Sequence, residues 1–300
     1  MNKKNIAKSL HAKIDKWLKS IDDECIVDII KNNTIVTGGA LVSLLNGEEP
    51  NDYDIYFKTQ ESCFAVAQYY ADKWNCMYTD KPKVEIQKGF KDIDNNIIDE
   101  DRITCFIKSV GIAKEDNENG IDDETENIED PFTQEVCESD KPKYRPRYFS
   151  TNAISLSDKI QIVIRFYGEV EEIHKNYDFA HCTCSYDYKN NVVNLPEKAL
   201  ECIINKELYY IGSRYPLCSI IRTRKFITRG WHINAGQYLK MCLQLNELNL
   251  HDFNVFKDQL TGVDSYYFEQ AISGIEKRMQ EDKTFEVDNN YLFEIINKIF

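Results

Sequence analysis

In the stretch TGGALVSLLNGEEPNDYDIYF (residues 37–57), two glycines are followed at short range by two carboxylates. Gly38 and Gly39 end a short apolar run and begin a segment that favours a helix. Asp52 and Asp54 alternate with apolar residues, as on a strand, and therefore point to the same face. This order requires a strand that turns sharply into a helix and a second strand that carries the carboxylates.

Hydrophobic periodicity outside this stretch indicates a mixed fold. Residues 5–31 have apolar positions at helical spacing and predict one or two helices, and residues 60–76 predict another. Residues 157–168 and 177–187 each predict a strand, and the segments after Pro196 favour helix. The predicted class is α+β, with a small mixed sheet flanked by helices and an all-helical C-terminal region.

The distribution of charge divides the chain further. We predict a head over residues 1–195, with an acidic insertion at about 91–143, and a helical neck and tail over residues 196–300. The net charge is −13, and residues 91–140 alone hold seventeen Asp or Glu against four Lys or Arg. Residues 206–229 instead hold six basic residues and one acid. A neutral body with one basic stripe is compatible with a polyanionic partner.

Composition excludes several classes of protein. No apolar run approaches the roughly 18 residues of a membrane span, and the N-terminus lacks the apolar core of a signal peptide. We therefore expect no membrane and a cytoplasmic location. The ten cysteines include no C-x-x-C pair, which suits reduced thiols. Cys182 and Cys184, beside His181, could suggest zinc, but alternation on a strand is the simpler interpretation.

Two carboxylates on one strand face beside a Gly-Gly turn suit a metal-bound nucleoside triphosphate. Carboxylates hold divalent ions against phosphates, and backbone N–H groups at a helix N-terminus receive phosphate oxygens. We therefore expect Asp52 and Asp54 to bind Mg²⁺, and Gly38 and Gly39 to bind the triphosphate. The alternative is a solvated strand edge next to an ordinary tight turn.

The same stretch resembles the polymerase-β-like nucleotidyltransferase superfamily, whose signature is Gly-Gly or Gly-Ser, a helix, and Asp-x-Asp. Within it, the nearest resemblance is to the head and neck of class II CCA-adding enzymes and bacterial poly(A) polymerases. The matching positions are Gly38, Gly39, Leu44, Leu45, Gly47, Pro50, Asp52 and Asp54. An Arg-Asp pair of that family is Val42-Ser43 here. The resemblance implies a nucleotidyltransferase fold, two Mg²⁺ ions and release of pyrophosphate.

Two later segments, residues 177–187 and 221–233, agree with the same family in order. The resemblance implies that Asp178 is a third catalytic carboxylate and metal ligand. It also implies triphosphate contacts. Ser43 is one candidate, and the contacts of the family's two arginines, which are Asn176 and Tyr177 here, are either absent or come from His174 and Lys175. The residues implied to contact the base or the acceptor are Arg222, Lys225 and Arg229.

The sequence does not determine which molecule accepts the transferred nucleotide. The basic neck favours an RNA 3′ end, such as that of a tRNA-like molecule, whereas the acidic total favours a protein hydroxyl. A third alternative is an inactive nucleotidyltransferase-fold protein with a structural or partner-binding role. The Asn-, Ile-, Lys- and Tyr-rich composition suggests a phage or other viral source, which would mean the host cytoplasm. The oligomeric state is not predicted.

Overall fold

The computed structural model describes residues 2–91, 97–107, 113–114, 142–260, 293 and 297. The predicted acidic insertion lies largely outside these residues, as do the helices predicted in the last forty positions of the chain. The described residues group into two units, one ending at Asn205 and the other beginning at Lys206.

The architecture is α+β, as predicted. The helices are α1 (Lys3–Leu18), α2 (Glu24–Asn33), α3 (Gly39–Asn46), α4 (Gln60–Met77), α5 (Val170–His174), α6 (Glu197–Asn205), α7 (Pro216–Thr228), α8 (Ala235–Leu245) and α9 (Phe253–Leu260). The strands are β1 (Thr34–Thr37), β2 (Tyr53–Phe57), β3 (Val84–Lys91), β4 (Ile97–Ile107), β5 (Ala113–Lys114), β6 (Pro146–Phe149), β7 (Ala153–Leu156), β8 (Ile160–Val163), β9 (Ser185–Asp187) and β10 (Val192–Asn194).

The main sheet of the first unit has eight strands in the order β10-β9-β1-β2-β8-β7-β6-β5. Strands β2 and β8 are parallel, and every other neighbouring pair is antiparallel, which confirms a mixed sheet. The sheet is larger than predicted because β6, β7 and β10 are too short to show clear alternation in the sequence. Strands β3 and β4 form a separate two-stranded sheet.

The helices of the first unit form because their apolar residues recur at helical spacing. In α1, Ile6, Leu10, Ile14 and Trp17 form one fully buried stripe. The indole Nε1 of Trp17 donates to the Tyr70 hydroxyl on α4 at 2.6 Å, which ties the two helices together. None of the described helices is long and apolar enough to cross a membrane.

Helix α3 begins and ends at glycines, as predicted. Gly47 has a φ of 83° and lies at the C-terminal cap, where its N–H donates to the Leu44 carbonyl. The next amide, that of Glu48, donates to Ser43 at 2.9 Å. These two bonds close the helix after eight residues, so the chain can return to β2.

The strand predicted over residues 177–187 is wrong for most of its length. Residues Ala180–Thr183 form a 3₁₀ helix, and only Ser185–Asp187 is a strand. The Thr183 hydroxyl donates to the Ala180 carbonyl at 2.7 Å and closes the 3₁₀ turn. Strand alternation therefore does not explain Cys182 and Cys184, although both are buried.

The first unit extends beyond the predicted head. Helix α6 packs against the 3₁₀ helix Ala180–Thr183 and belongs to the first unit, whereas the sequence placed a boundary at residue 195. The described helices of the second unit are α7, α8 and α9, of which α7 packs against both of the others. A helical second unit agrees with the predicted class.

Candidate functional site

A row of polar side chains crosses the main sheet on the face that carries the carboxylates. Asp54 on β2 is paired with Gln161 on the parallel strand β8, and Gln161 with Ser155 on β7. Thr37 is paired with Ser185, and continuing the β1–β2 register places Thr37 opposite Asp54. Paired residues point to the same face of a sheet, so the row joins five strands through Asp54.

Asp52 and Asp54 form the predicted pair. Asp52 immediately precedes β2, Asp54 is its second residue, and both side chains are partly exposed. The amide group of Gln161 lies between them, 3.3 Å from Oδ2 of Asp52 and 3.0 Å from Oδ1 of Asp54. Because both neighbours are acceptors, the NH₂ group of this amide faces the pair and donates to each carboxylate.

Gly38 and Gly39 connect this pair to the N-terminus of α3. Gly38 is buried and has φ 93° and ψ −146°, a conformation that L side chains rarely adopt. A Cβ there would lie 3.0 Å from Oδ2 of Asp54 and 3.6 Å from the Tyr177 hydroxyl. Gly39 is exposed, and a Cβ there would meet nothing within 4 Å. No described side chain caps α3, so its first amides have no side-chain acceptor among the residues that the structure describes.

A polar network lies on the β1 side of the pair. The Thr37 hydroxyl donates to the Cys184 carbonyl and contacts Nε2 of His174, both at 2.8 Å. The Tyr177 hydroxyl is hydrogen-bonded to Thr37 and Tyr56. Since Thr37 uses its only hydrogen for the carbonyl, His174 donates to it from Nε2. This network fixes the end of β1, from which Gly38 follows.

Burial determines the protonation of the two ring side chains in this network. It lowers the pKa of His174 to about 4, against a smaller opposing effect of Glu171, so the imidazole is neutral near pH 7. Burial also raises the pKa of Tyr177 well above its ordinary value, with Tyr56 and Asp54 adding to the effect. The hydroxyl of Tyr177 therefore stays protonated beside a carboxylate.

Helix α5 packs against the main sheet through an apolar cluster. The apolar cluster there consists of Ile35, Tyr56, Val163 and Ile173, with Phe166, Val170 and Tyr177 packed against it. Three strands and α5 thus contribute to one cluster. Thr37, Asp54 and Gln161 each lie two residues along the same strand from a member of this cluster and therefore adjoin it on the same face of the sheet. Packing of this kind is what a precisely held site needs.

The other predicted residues of the first unit lie at different positions. Ser43 is one turn after Gly39 on α3 and partly exposed. Lys175 is exposed next to His174, and its Nζ donates to Glu172 at 2.7 Å. Asp178 is 3% exposed and lies in the connection between α5 and the 3₁₀ helix, not at the start of a strand.

The three predicted base or acceptor contacts lie in the second unit. Arg222, Lys225 and Arg229 recur at helical spacing on one side of α7, the last of them at its C-terminal cap. Arg229 is exposed and the other two are partly exposed. The guanidinium of Arg222 lies 5.9 Å from the ring centroid of Phe226, which anchors that side chain to the helix surface.

The chemistry of the pair fits a magnesium ion. Mg²⁺ prefers oxygen ligands and is usually bound through one or two carboxylates together with phosphates and water. Asp52 and Asp54 supply those carboxylates next to a helix N-terminus. Within the described ranges, no three His, Cys, Asp or Glu side chains form a group that could hold a metal. Asp178 as a third carboxylate therefore stays a prediction.

The sequence analysis assigned no role to four residues of the site: Thr37, Tyr56, Gln161 and Tyr177. Thr37, Tyr56 and Tyr177 lie within segments that the sequence analysis singled out, but their residue types gave no sign of a role there. Only the register of β1, β2 and β8 brings Thr37 and Gln161 beside Asp54. A polar residue in the middle of the apolar run IQIVI was the one available signal for Gln161.

Comparison with known families matches residues 8–206 to the model of the Gabija anti-defense 2 family. The matched segment includes the glycines, the carboxylate pair and the network around Thr37. The chain belongs to the Gabija anti-defense 2 family. A curated relative, Gabija anti-defense 2 of Bacillus phage SPbetaL7, is 20% identical over 295 residues, which are 95% of this chain and 57% of the relative. The chain thus spans little more than half the length of that relative.

Solved structures similar to this Gabija anti-defense 2 family member include two CCA-adding enzymes and a tRNA-processing enzyme. The Thermotoga maritima CCA-adding enzyme complexed with tRNA is 12% identical, with a TM-score of 0.36, over 78% of this chain and 45% of the enzyme. The Bacillus stearothermophilus CCA-adding enzyme in complex with CTP is 12% identical, with a TM-score of 0.34, over 80% and 48%. A tRNA-processing enzyme with CTP is 11% identical, with a TM-score of 0.36, over 87% and 57%.

Proposed function

We propose that the chain transfers a nucleoside monophosphate from a nucleoside triphosphate to an acceptor hydroxyl. The observation that carries this proposal is the contact between Gly38 and Asp54. Gly38 precedes the uncapped N-terminus of α3 in a conformation that L side chains rarely adopt, and a Cβ added to it would lie 3.0 Å from Oδ2 of Asp54, so the backbone at the helix start passes close to one carboxylate of the pair. An anion-binding and a cation-binding element thus adjoin, as a metal-bound triphosphate requires.

Each residue of the site has a role in this scheme. Asp52 and Asp54 would hold two Mg²⁺ ions, which would supply charge stabilisation on the phosphates and a more acidic acceptor hydroxyl. The amides at Gly38 and Gly39 would receive the β- and γ-phosphates, with Ser43 on the same face of α3. Lys175, exposed beside the network, would contact the triphosphate. Asp178 would help to orient or deprotonate the acceptor hydroxyl, as a third carboxylate.

The transfer conserves atoms and charge without a further reagent. The acceptor oxygen forms a bond to the α-phosphorus, and the bond from that phosphorus to the oxygen bridging to the β-phosphate breaks. Pyrophosphate leaves with the electron pair, and the proton of the acceptor passes to a carboxylate or to water. The protein contributes position and electrostatic stabilisation, which supply most of the rate in reactions of this kind.

An RNA 3′ end, tRNA-like or otherwise, is the first candidate for the acceptor. Arg222, Lys225 and Arg229 form a basic face on α7 in an otherwise acidic chain, and a basic face attracts the phosphates of RNA. ATP is the first triphosphate to examine. The reaction would take place in the host cytoplasm if the gene comes from a phage, as the relative of Bacillus phage SPbetaL7 suggests.

A protein hydroxyl is the second candidate, and the family supports it. Its name states an activity against the Gabija defence. Attaching a nucleotide to a defence protein would add a phosphodiester charge and a bulky group to the modified surface. The two candidates differ in the class of molecule that carries the label after the reaction.

Calorimetric titration of each nucleoside triphosphate with Mg²⁺ tests the site. We expect binding of at least one triphosphate that needs the metal and is lost in the double variant Asp52→Asn/Asp54→Asn. The control is Asp72→Asn, which removes an exposed carboxylate on α4 that accepts from Gln68. Incubation with α-³²P-labelled triphosphate, RNA and Gabija proteins then identifies the acceptor. Absence of binding to all four triphosphates in a folded protein would support a structural or partner-binding role instead.

A further inference from the structure

The side chain of Gln161, among the residues that the structure describes, contacts both carboxylates of the proposed metal site. It lies on β8, in register with Asp54 across a parallel pair of strands. Its amide nitrogen is 3.0 Å from Asp54 and 3.3 Å from Asp52, one hydrogen for each carboxylate. An amide that bridges two carboxylates occupies the position a cation would take between them.

A pair of neighbouring carboxylates needs such a partner in the metal-free protein. Two like charges that face each other disfavour the charged state of both, and donated hydrogen bonds offset that repulsion. The NH₂ group of Gln161 provides two donors from one side chain that carries no charge. The main sheet fixes its position, because Gln161 is paired with Asp54 on one side and with Ser155 on the other.

The same amide carries an oxygen that suits a metal ion. Amide oxygens are hard ligands of the kind that Mg²⁺, Mn²⁺ and Ca²⁺ accept. Half a turn about the last side-chain bond exchanges NH₂ for Oε1 without moving the backbone, and the ion would then replace the donors that Oε1 faces in the metal-free protein. With Oε1 turned toward the pair, three oxygens from β2 and β8 would surround one point.

We infer that Gln161 is the third member of the cation site, donating to the carboxylates in the metal-free protein and binding the ion through Oε1. This inference rests on the proposed function, because it presupposes that Asp52 and Asp54 hold a divalent ion. It assigns to Gln161 the third position that the resemblance gave to Asp178. The geometry favours Gln161 because its amide lies between the two carboxylates, whereas Asp178 lies outside the row of paired strand residues.

The site would then carry two negative charges where three carboxylates would carry three. The affinity of oxygen sites for divalent ions rises with the number of charged ligands. A neutral third ligand therefore predicts a weaker site, filled chiefly when a triphosphate adds its own oxygens. Replacing Gln161 by glutamate keeps the shape and adds the missing charge.

The experiment measures Mn²⁺ binding to the full chain by calorimetry, without nucleotide. We expect Gln161→Glu to bind Mn²⁺ about tenfold more tightly than the parent or better, and Gln161→Met, which lacks the oxygen, to bind about threefold more weakly or worse. The control Gln68→Glu adds the same charge on α4, where Gln68 donates to the exposed Asp72 at 2.8 Å. It should leave Mn²⁺ affinity unchanged.

A second readout follows the amide itself. On addition of Mg²⁺, the side-chain ¹⁵N–¹H₂ signals of Gln161, assigned by their loss in Gln161→Met, should shift, while those of Gln68 stay in place. The shift is measured on the parent protein, and Gln161→Met serves only to assign the signals. It also distinguishes coordination by Gln161 from a general effect of added charge.

Three results distinguish the inference from the proposed function. The inference and the proposed function are both supported if Mn²⁺ binds more tightly to Gln161→Glu, more weakly to Gln161→Met and not at all to Asp52→Asn/Asp54→Asn. In the second result, the parent binds Mn²⁺ and needs the aspartates to do so, but neither Gln161 variant changes the affinity. That result overturns the inference and leaves the proposed function standing. No Mn²⁺ binding by the folded parent or by Gln161→Glu overturns both.

Discussion

The two sides of Asp54 are built differently. On the β1 side, Thr37 is fully buried, and its hydroxyl is held by His174, Tyr177 and a backbone carbonyl. On the β8 side, Gln161 is partly exposed and reaches the pair with an amide that can present either NH₂ or Oε1. A fixed side and an adjustable side serve different purposes. The first holds the carboxylates in place, and the second leaves room for a cation to enter.

The largest expected effect comes from Gly38→Ala on the fixed side. The residue has a φ of 93°, and an added Cβ would lie 3.0 Å from Asp54. We expect a loss of about 2 kcal/mol or more in the free energy of unfolding, together with loss of triphosphate binding. Chemical denaturation and calorimetry measure the two quantities.

Gly39→Ala is the matched control, because a Cβ at that position meets nothing within 4 Å. It should leave the free energy of unfolding within about 0.5 kcal/mol of the parent. Equal losses in the two variants would show that the turn tolerates a side chain at neither position, and that contact with Asp54 is not the reason for Gly38.

The second prediction removes one hydroxyl from the network. Tyr177→Phe deletes the hydrogen bonds to Thr37 and Tyr56 and leaves buried polar groups without that partner. A loss of about 1–2 kcal/mol in unfolding free energy is expected, with weaker Mg²⁺-dependent triphosphate binding because the end of β1 is no longer fixed. Tyr69→Phe on α4, where Lys73 donates to the hydroxyl at 3.3 Å, is the control. A Tyr177→Phe protein as stable as that control would argue against a stabilising network.

The β1–α3–β2 stretch was predictable because its information is local. Gly38, Gly47, Asp52 and Asp54 lie within twenty residues, and glycine placement and strand alternation specify where each element begins and ends. Both glycines and both carboxylates accordingly lie where the sequence places them relative to α3 and β2.

The rest of the site depends on pairing between distant segments. Thr37 and His174 are 137 residues apart, and Asp54 meets Gln161 only through the β2–β8 register. No local pattern distinguishes Gln161 from any polar residue on a strand. The segment after Tyr177 was predicted wrongly because alternating residues there suggested a strand. The Thr37 hydroxyl instead binds the Cys184 carbonyl, and a 3₁₀ turn precedes it.

The third prediction concerns pH. Burial lowers the pKa of His174 from 6.5 to about 4, so between these values the unfolded chain binds a proton that the native protein does not. Stability therefore rises with pH across this window and is fully present above pH 6.5. We expect the free energy of unfolding to fall by about 1 kcal/mol between pH 7 and pH 5.5 from this group. His174→Gln should reduce that slope, and His251→Gln, at an exposed position, is the matched control. An unchanged slope in His174→Gln would mean that the imidazole is not held neutral by burial.

The smallest effect is expected at Lys175, which is exposed and follows His174 on the β1 side of Asp54. Its ion pair with Glu172 is exposed, with side-chain exposures of 68% and 59%, so it contributes little to stability. We expect Lys175→Ala to unfold with the free energy of the parent but to bind triphosphate about threefold more weakly, with a difference that shrinks as salt is added. Lys198→Ala on α6 removes a pair of the same spacing with Glu201 and should change neither quantity. If Lys175→Ala binds triphosphate as tightly as Lys198→Ala does, the fixed side only supports the carboxylates. The phosphates would then be held by the α3 amides and the metal alone.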